Sequence, residues 1–134
     1  MTLAEYVERK NHMQEDLIKL SFEHSHILQQ ACLGLAHLHS LDIVHRDIKP
    51  HNILISLPQT PNKQRKIMIS DFGVSKVLNP EHSLTTEFSA GTEGWIAPEI
   101  LKSKLNGINE KASKPNDIFS MGCLNFLILL VLCK

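Results

Sequence analysis

The chain has 134 residues, the length of one ordinary domain or part of one. Hydrophobic residues make up 43% and charged residues 21%, which excludes a disordered chain and fits a globular one. With 14 basic and 14 acidic residues the formal net charge is zero, so no overall field attracts nucleic acid or an anionic membrane. Three widely spaced cysteines without a Cys-x-x-Cys pair argue against a disulfide framework or zinc site and fit a reducing compartment.

The first forty residues predict two helices. Thr2 and Glu5 have the spacing of a capping box, so a short helix is expected to start there. A longer helix is predicted over residues 21–40, because apolar residues recur at three- and four-residue spacing. The residues of this stripe are Leu28, Ala31, Cys32, Leu35 and Leu38.

Four histidines lie in the longer helix as two His-x-His pairs, His24/His26 and His37/His39. Residues two apart on a helix point to nearly opposite faces, so neither pair is expected to bind one metal ion. All four are interpreted as ordinary surface or core side chains.

The middle of the chain predicts a β-hairpin and a long loop. Ile53–Ile55 and Ile67–Ile69 are short β-prone runs, and the segment between them contains two prolines and three cationic residues. This pattern predicts a hairpin with an exposed loop. Residues 74–96 carry turn formers and hydroxyls, and such long loops in compact domains are usually functional or disordered.

The last third predicts a short helix over Ala97–Leu101, with Pro98 in its first turn, then a polar loop over 102–116. An apolar helix is expected from Asp117 to the end of the chain. Its final apolar run, FLILLVLC, has eight residues, whereas a membrane-spanning helix needs about 20. A buried core helix is therefore favoured over a membrane-anchored peptide.

A dense polar cluster interrupts the apolar segment at residues 44–56, which reads VHRDIKPHNILIS. Polar groups placed among buried apolar residues cost desolvation free energy unless bonds offset it. The cluster consists of His45, Arg46, Asp47, Lys49 and Asn52.

Two further motifs complete a pattern. Asp71-Phe72-Gly73 follows Asp47 by 24 residues, and Ala97-Pro98-Glu99 follows the long loop. In this order the three motifs resemble the signature set of the protein kinases, although each alone is weak. The resemblance implies a protein-kinase-like α+β fold, of which this chain would be a partial C-terminal large lobe, mostly α with one β-hairpin.

The resemblance assigns chemistry to five residues. Phosphoryl transfer gathers negative charge and needs the attacking hydroxyl in line. Asp47 and Lys49 are the expected catalytic residues: Asp47 would accept the hydrogen bond of that hydroxyl, and Lys49 would place a cation near the phosphate. Asn52 and Asp71 would offer oxygens to Mg²⁺. Lys49, Asn52, Asp71 and Leu54 would contact ATP, with Leu54 under the adenine. A simple polar turn explains Asn52 or Asp71 singly, but not Asp47 and Lys49 beside them.

The motif Asp-x-Lys-x-x-Asn resembles the form found in serine/threonine kinases rather than in tyrosine kinases. Thr92 matches the position at which those enzymes keep a threonine near the catalytic aspartate. In the family, an arginine at Arg46 receives a phosphate on the activation loop, although it could pair with any nearby carboxylate. The hydroxyl candidates for that phosphate are Ser83, Thr85, Thr86 and Ser89.

Other matching positions are expected to be structural. His45 and Phe72 resemble residues stacked between the lobes, and Asp117 resembles the aspartate that anchors the catalytic loop. Gly73 completes its motif, and the arginine that usually pairs with Glu99 in the family is expected to be missing, with the rest of the large lobe, from these 134 residues.

Longer segments are similar to the kinase/endoribonucleases of the inositol-requiring type, which sense unfolded protein in the endoplasmic reticulum. These include GLAHLHSLDIVHRDIKPHNILIS and GTEGWIAPE, with its distinctive Trp95, and the likeness covers residues 2 to about 123. It implies ATP and Mg²⁺ as cofactors, and phosphorylation of another copy in a homodimer. It also implies a place on the cytosolic side of the reticulum membrane. Neither nucleic-acid binding nor a membrane span is expected in this segment.

The Gly-rich phosphate loop has no counterpart here, because no glycine precedes Gly34. Residues 1–134 are therefore expected to be a partial kinase domain, from after the hinge to the first part of the central apolar helix. The small lobe, the rest of the large lobe and the ribonuclease domain are expected to be absent, and the isolated chain inactive. The alternative is a non-catalytic module that binds an intact kinase or a chaperone through its apolar surface.

Overall fold

A computed structural model of the chain describes residues 1–11, 17–56, 65–78, 91–108, 111 and 113–132. Within these residues the helices are α1 (Leu3–Asn11), α2 (Leu17–Ser40), α3 (Pro98–Leu105) and α4 (Lys114–Leu132). The strands are β1 (Ile43–Val44), β2 (Ile53–Ile55), β3 (Ile67–Ile69) and β4 (Lys76–Val77). A 3₁₀ turn over Pro50–Asn52 leads into β2.

The capping box predicted at the start of α1 is present. The Thr2 amide donates to Glu5 Oε2 at 3.1 Å, and the Glu5 amide donates to Thr2 Oγ1 at 3.2 Å. Met1, two residues before the helix, lies along the hairpin, because the Ile55 amide donates to the Met1 carbonyl at 2.8 Å. These bonds hold α1 against β2.

Helix α2 spans the predicted range and begins earlier, at Leu17. Its buried residues include Ile27, Ala31 and Leu35, spaced by four, whereas Cys32 is exposed. The predicted stripe was therefore wrong at Cys32. The buried positions also include Ile27, which the prediction left out.

The predicted hairpin is present as the antiparallel pair β2–β3, in which Leu54 lies opposite Met68. A second two-stranded sheet, β1–β4, pairs Val44 with Lys76 and was not predicted. The prediction of an uninterrupted loop over 74–96 is thus wrong at residues 76–77. Two-residue strands carry no detectable alternation, so only their distant partner reveals them.

The predicted loop over 102–116 is also wrong at both ends, because α3 continues to Leu105 and α4 begins at Lys114. Ser113 explains the earlier start. Its amide and hydroxyl donate to Asn116 Oδ1 at 3.0 and 2.7 Å, and the Asn116 amide donates to the Ser113 carbonyl. Ser113 and Asn116 therefore cap the first turn of α4.

The core lies between α1, α2, α4 and the hairpin. Its buried residues on α4 are Met121, Leu124 and Ile128. Phe126, on another face of the same helix, is 63% exposed. The predicted core helix is thus buried on one face only, and among the described residues no helix has the length and apolarity needed to cross a membrane.

Candidate active site

The polar cluster forms a loop between β1 and β2 that is tied to α4 by its backbone. The amides of His45 and Arg46 donate to Oδ2 and Oδ1 of Asp117, each at 2.8 Å. Asp117 is 1% exposed, and Arg46 has the left-handed φ of +70°. A buried carboxylate that accepts two amides fixes the loop in this conformation.

The carboxylate of Asp47 is held by four donors. Oδ2 accepts from Lys49 Nζ at 2.8 Å and from Asn52 Nδ2 at 3.0 Å. Oδ1 accepts from the amide of Thr92 at 3.0 Å and from its hydroxyl at 2.7 Å. Three residues predicted for the site, Lys49, Asn52 and Thr92, thus surround Asp47.

These contacts set the charge of Asp47. Burial by itself raises the pKa of this carboxyl, but the hydrogen bonds from Lys49, Thr92 and Asn52, together with the charge of Lys49, outweigh it. The net effect lowers the pKa of Asp47 below its ordinary value. Asp47 is therefore an ionised acceptor at neutral pH.

Lys49 bridges the two sides of the site. Its ammonium donates to Thr92 Oγ1 at 2.6 Å as well as to Asp47, and its side chain is 19% exposed. The Thr92 hydroxyl accepts from Lys49 and donates to Asp47, so both its hydrogen-bonding roles are used.

His45 is buried, and both of its ring nitrogens are engaged. Nε2 lies 2.9 Å from the Ser70 carbonyl, and the Asp47 amide donates to Nδ1 at 3.3 Å. A ring that accepts at Nδ1 and donates from Nε2 is the neutral imidazole. His45 also meets Phe72 edge to face, with ring centroids 5.2 Å apart.

Arg46 contacts the segment directly after Asp71-Phe72-Gly73, because its Nε donates to the Val74 carbonyl. The four hydroxyls predicted to carry its phosphate, at residues 83, 85, 86 and 89, lie outside the described residues.

The family described as protein kinase domain matches residues 1–132. The chain belongs to the protein kinase family. It is 42% identical over 132 residues to the serine/threonine-protein kinase/endoribonuclease ire-1 of Caenorhabditis elegans. It is 42% identical over 130 residues to the serine/threonine-protein kinase/endoribonuclease IRE2 of Homo sapiens. The matches cover 96% of this chain and 12% and 13% of those proteins.

A third relative is the sensor for unfolded proteins in the ER, ire1, of Schizosaccharomyces pombe. It is 40% identical over 133 residues, which cover 86% of this kinase chain and 12% of the yeast protein. The chain therefore spans about an eighth of the length of these relatives.

Protein kinases in general use ATP and a divalent metal. The side chains of Asn52 and Asp71 offer the kind of oxygen donors that such a metal takes. The amide and hydroxyl of Ser70 donate to the Asn52 carbonyl at 2.9 and 3.1 Å, so the hairpin brings Asp71 to the same end. Asn52 Nδ2 is committed to Asp47, which leaves Oδ1 for a cation. An amide and a carboxylate oxygen are hard donors.

Asp71 is exposed and has a φ of +62°. Its Oδ1 accepts from the Gly73 amide at 3.4 Å, which closes the turn of this motif. The described residues contain no group of three or more His, Cys, Asp or Glu side chains suited to a metal. The pair would therefore need phosphate or water as further ligands, as Mg²⁺ sites on nucleotides commonly have.

Two predicted residues lie outside this cluster of contacts. Leu54 is half-buried on β2 and forms an isolated bridge with Thr2. The carboxylate of Glu99 accepts from Asn116 Nδ2 at 2.9 Å, and the arginine that the family resemblance pairs with Glu99 is expected outside residues 1–134.

The sequence did not indicate two residues that hold segments of the site in place. His39, interpreted as an ordinary side chain, has Nε2 2.9 Å from Asp117 Oδ2. Ser120 donates from Oγ to the Trp95 carbonyl at 2.7 Å. Both partners are distant in the sequence, and no local spacing could have indicated them.

Proposed function

We propose that these residues form the phosphoryl-transfer centre of a serine/threonine protein kinase. The reaction moves the γ-phosphate of ATP to a serine or threonine hydroxyl of a protein substrate. The observation that carries the proposal is the Asp47 carboxylate, ionised by its lowered pKa and oriented by Lys49, Asn52 and Thr92. An oriented anion of this kind suits an attacking hydroxyl that must be held in line.

Asp47 has no spare acceptor position in this arrangement. A carboxylate offers about four lone-pair sites, and four donors fill them. A substrate hydroxyl can bind only after one donor leaves. Lys49 is that donor in our proposal, because its partly exposed ammonium would move toward the anionic phosphate. The movement frees Oδ2 of Asp47 at the moment when the substrate hydroxyl needs it.

The metal site belongs to the same proposal. Bound Mg²⁺ neutralises charge on the phosphates. Asn52 Oδ1 and the carboxylate of Asp71 would hold the ion. The bond from Asn52 to Asp47 would fix the position of the ion relative to the Asp47 carboxylate. Leu54 would supply apolar contact to the adenine.

The names of the relatives suggest the setting. We propose that the parent molecule acts in the response to unfolded protein and phosphorylates another copy of itself on the cytosolic side of the reticulum membrane. Residues 1–134 would be the large-lobe segment of its kinase domain. A phosphate on Ser83, Thr85, Thr86 or Ser89 would bind Arg46, whose guanidinium otherwise contacts the Val74 carbonyl.

A segment exchange tests the proposal. In the chimera, residues 1–132 replace the matching segment of the Caenorhabditis elegans kinase/endoribonuclease, which aligns with them over 132 residues. The chimera is expected to transfer the labelled γ-phosphate of ATP to serine or threonine. Asp47→Asn should lower the rate by about 10²–10⁴, the usual contribution of a general base.

Asp42→Asn is the matched control, because Asp42 is exposed and pairs with Lys114 at 2.6 Å away from the site. It should leave the rate unchanged. An inactive chimera, or an Asp47→Asn chimera as active as its parent, contradicts the proposed function. The 134-residue chain alone should incorporate negligible label, because it contains no Gly-rich phosphate loop.

The alternative is a non-catalytic module that binds an intact kinase or a chaperone. The exposed side chains of Phe126, Leu129 and Leu130 on α4 favour it. An inactive chimera, together with a stoichiometric complex between this chain and an intact kinase, would support the module instead.

A further inference from the structure

Ser120 is a nearly buried polar residue that the proposed chemistry does not use. It lies on α4 three residues after Asp117, so the two side chains share one face of the helix. Ser120 is 8% exposed, and its Oγ lies 2.7 Å from the Trp95 carbonyl and 3.1 Å from the Asn116 carbonyl. A hydroxyl has one proton to donate. We assign it to the shorter contact, which is with the Trp95 carbonyl outside the helix.

The Trp95 carbonyl belongs to a turn that ends at the site. The Trp95 amide donates to the Thr92 carbonyl at 3.1 Å, and Thr92 donates twice to Asp47 Oδ1. Trp95 itself is partly buried against the core. A continuous series of hydrogen bonds therefore runs from Ser120 through Trp95 and Thr92 to the carboxylate of Asp47.

We propose that Ser120 is a positioning residue that fixes Thr92 against Asp47 through the carbonyl of Trp95. The inference rests on the proposed kinase function. Helix α4 then holds the site from both sides: Asp117 binds the loop that carries Asp47, and Ser120 binds the turn that carries Thr92. One turn of a single helix sets the separation of the two segments, so neither can shift without the other.

The competing explanation is local. A serine within a helix often bonds the carbonyl four residues earlier, and the Asn116 carbonyl lies within 3.1 Å of Ser120 Oγ for such a bond. Ser103 on α3 makes the same type of bond, from Oγ to the Glu99 carbonyl at 2.9 Å. Ser103→Ala is therefore the matched control for loss of such a bond, and Ser120→Thr is the variant that keeps the hydroxyl.

Hydrogen exchange of the full 134-residue chain tests the contact directly. Ser120→Ala leaves the Trp95 carbonyl without this donor, so the amides of Thr92 and Trp95 should exchange about two- to tenfold faster, the scale of one hydrogen bond. Amides in the middle of α4 should be unchanged, since alanine favours helix. Ser120→Thr and Ser103→Ala should both exchange like the parent.

Trp95 is the only tryptophan, so its fluorescence reports the same turn, and Ser120→Ala should increase quenching by acrylamide. Unchanged exchange at Thr92 and Trp95 in Ser120→Ala would overturn the inference. Equal acceleration in Ser103→Ala would overturn it as well. If Ser120→Ala unfolds the chain, Ser120→Cys takes its place, because a thiol is a much weaker donor of similar size.

Kinetics of the chimera separate positioning from simple stability. Ser120→Ala should lower kcat about two- to tenfold and leave KM for ATP unchanged. In a Thr92→Val background the same change should cost less than about twofold, because its route to Asp47 is already weakened. An equal loss in both backgrounds would overturn the inference. An inactive parent chimera would instead refute the kinase proposal, and the exchange result would still decide the contact.

Discussion

His39 and Asp117 are joined across 78 residues, with Nε2 of His39 2.9 Å from Oδ2 of Asp117. The same oxygen accepts the amide of His45, and the second oxygen accepts the amide of Arg46. His39 is on α2 and Asp117 is on α4. One buried carboxylate therefore connects the two longest helices to the loop that carries Asp47.

Replacing His39 should destabilise the chain by an amount that depends on whether the new side chain can still donate a hydrogen bond to Asp117. His39→Leu removes the bond to Asp117 and should lower the free energy of unfolding by about 1–3 kcal/mol, the cost of leaving a buried acceptor short of a partner. His39→Gln should recover part of that loss, because its amide can donate from a position near that of Nε2. Urea denaturation of the 134-residue chain measures both values. His37→Leu is the control, since His37 is exposed on the same helix. Equal values for the Leu and Gln variants would contradict this role of the donor.

Lys49→Met should raise the pKa of Asp47, because it removes both a hydrogen bond and a nearby charge. In the parent the pKa of Asp47 is lowered on folding, so its contribution to stability is present above the ordinary pKa of an aspartate. That contribution is lost as the pH falls through the lower native pKa. The cost of Lys49→Met should therefore be about 1–3 kcal/mol near neutral pH and shrink on acidification.

Urea denaturation at several pH values measures that change. Lys114→Met is the matched control, because Lys114 pairs with Asp42, whose side chain is 62% exposed. An exposed pair contributes about 0–1 kcal/mol, so this variant should cost little at any pH. A pH-independent cost of Lys49→Met would contradict the account of Asp47.

Local patterns predicted the parts of the fold that depend on neighbours in the sequence. Thr2 and Glu5 cap α1 from three residues apart, and the hairpin follows from two β-prone runs close together. The pairing of Val44 with Lys76 and the bond from Ser120 to Trp95 join segments 32 and 25 residues apart. No spacing rule connects such positions, so only the packed fold reveals them.

The site shows the same division. Asp47, Lys49 and Asn52 lie in one motif, and the likeness to kinases gave these residues their expected roles and added Thr92. The motif could not reveal that four donors fill the carboxylate of Asp47, because Thr92 reaches it from 45 residues away. That detail decides the mechanism proposed for Lys49.

Asp71→Asn tests the metal site without altering the backbone. Asp71 has a φ of +62°, a conformation that asparagine adopts as readily as aspartate. Loss of the negative oxygen should lower the rate of the chimera by about 10² or more, the scale of a lost electrostatic group, and added Mg²⁺ should restore part of it. Asp42→Asn is a close control, because Asp42 has a similar φ of +56°. A parent-like rate at limiting Mg²⁺ would exclude Asp71 as a ligand.

Alanine substitutions at Gly91 and Gly94 separate the effect of steric contact from the effect of backbone strain. Gly91 has a φ of +131°, and an added Cβ would lie 3.2 Å from the Arg46 carbonyl oxygen and 3.1 Å from Cγ1 of Ile96. Gly94 has a φ of +87°, but an added Cβ would have no atom within 4 Å among the described residues. Both alanine variants should lose about 1–3 kcal/mol of unfolding free energy from strain, and Gly91→Ala should lose more because of its contacts.

The two variants should differ further in the chimera. Gly91→Ala presses on the loop that carries Asp47 and changes the residue directly before Thr92, so it should lower kcat. Gly94→Ala should change stability with a smaller effect on kcat. Urea denaturation and initial rates with saturating ATP measure the two effects separately. Equal losses in both assays would mean that the approach of Gly91 to Arg46 does not set the geometry of Asp47 and Thr92.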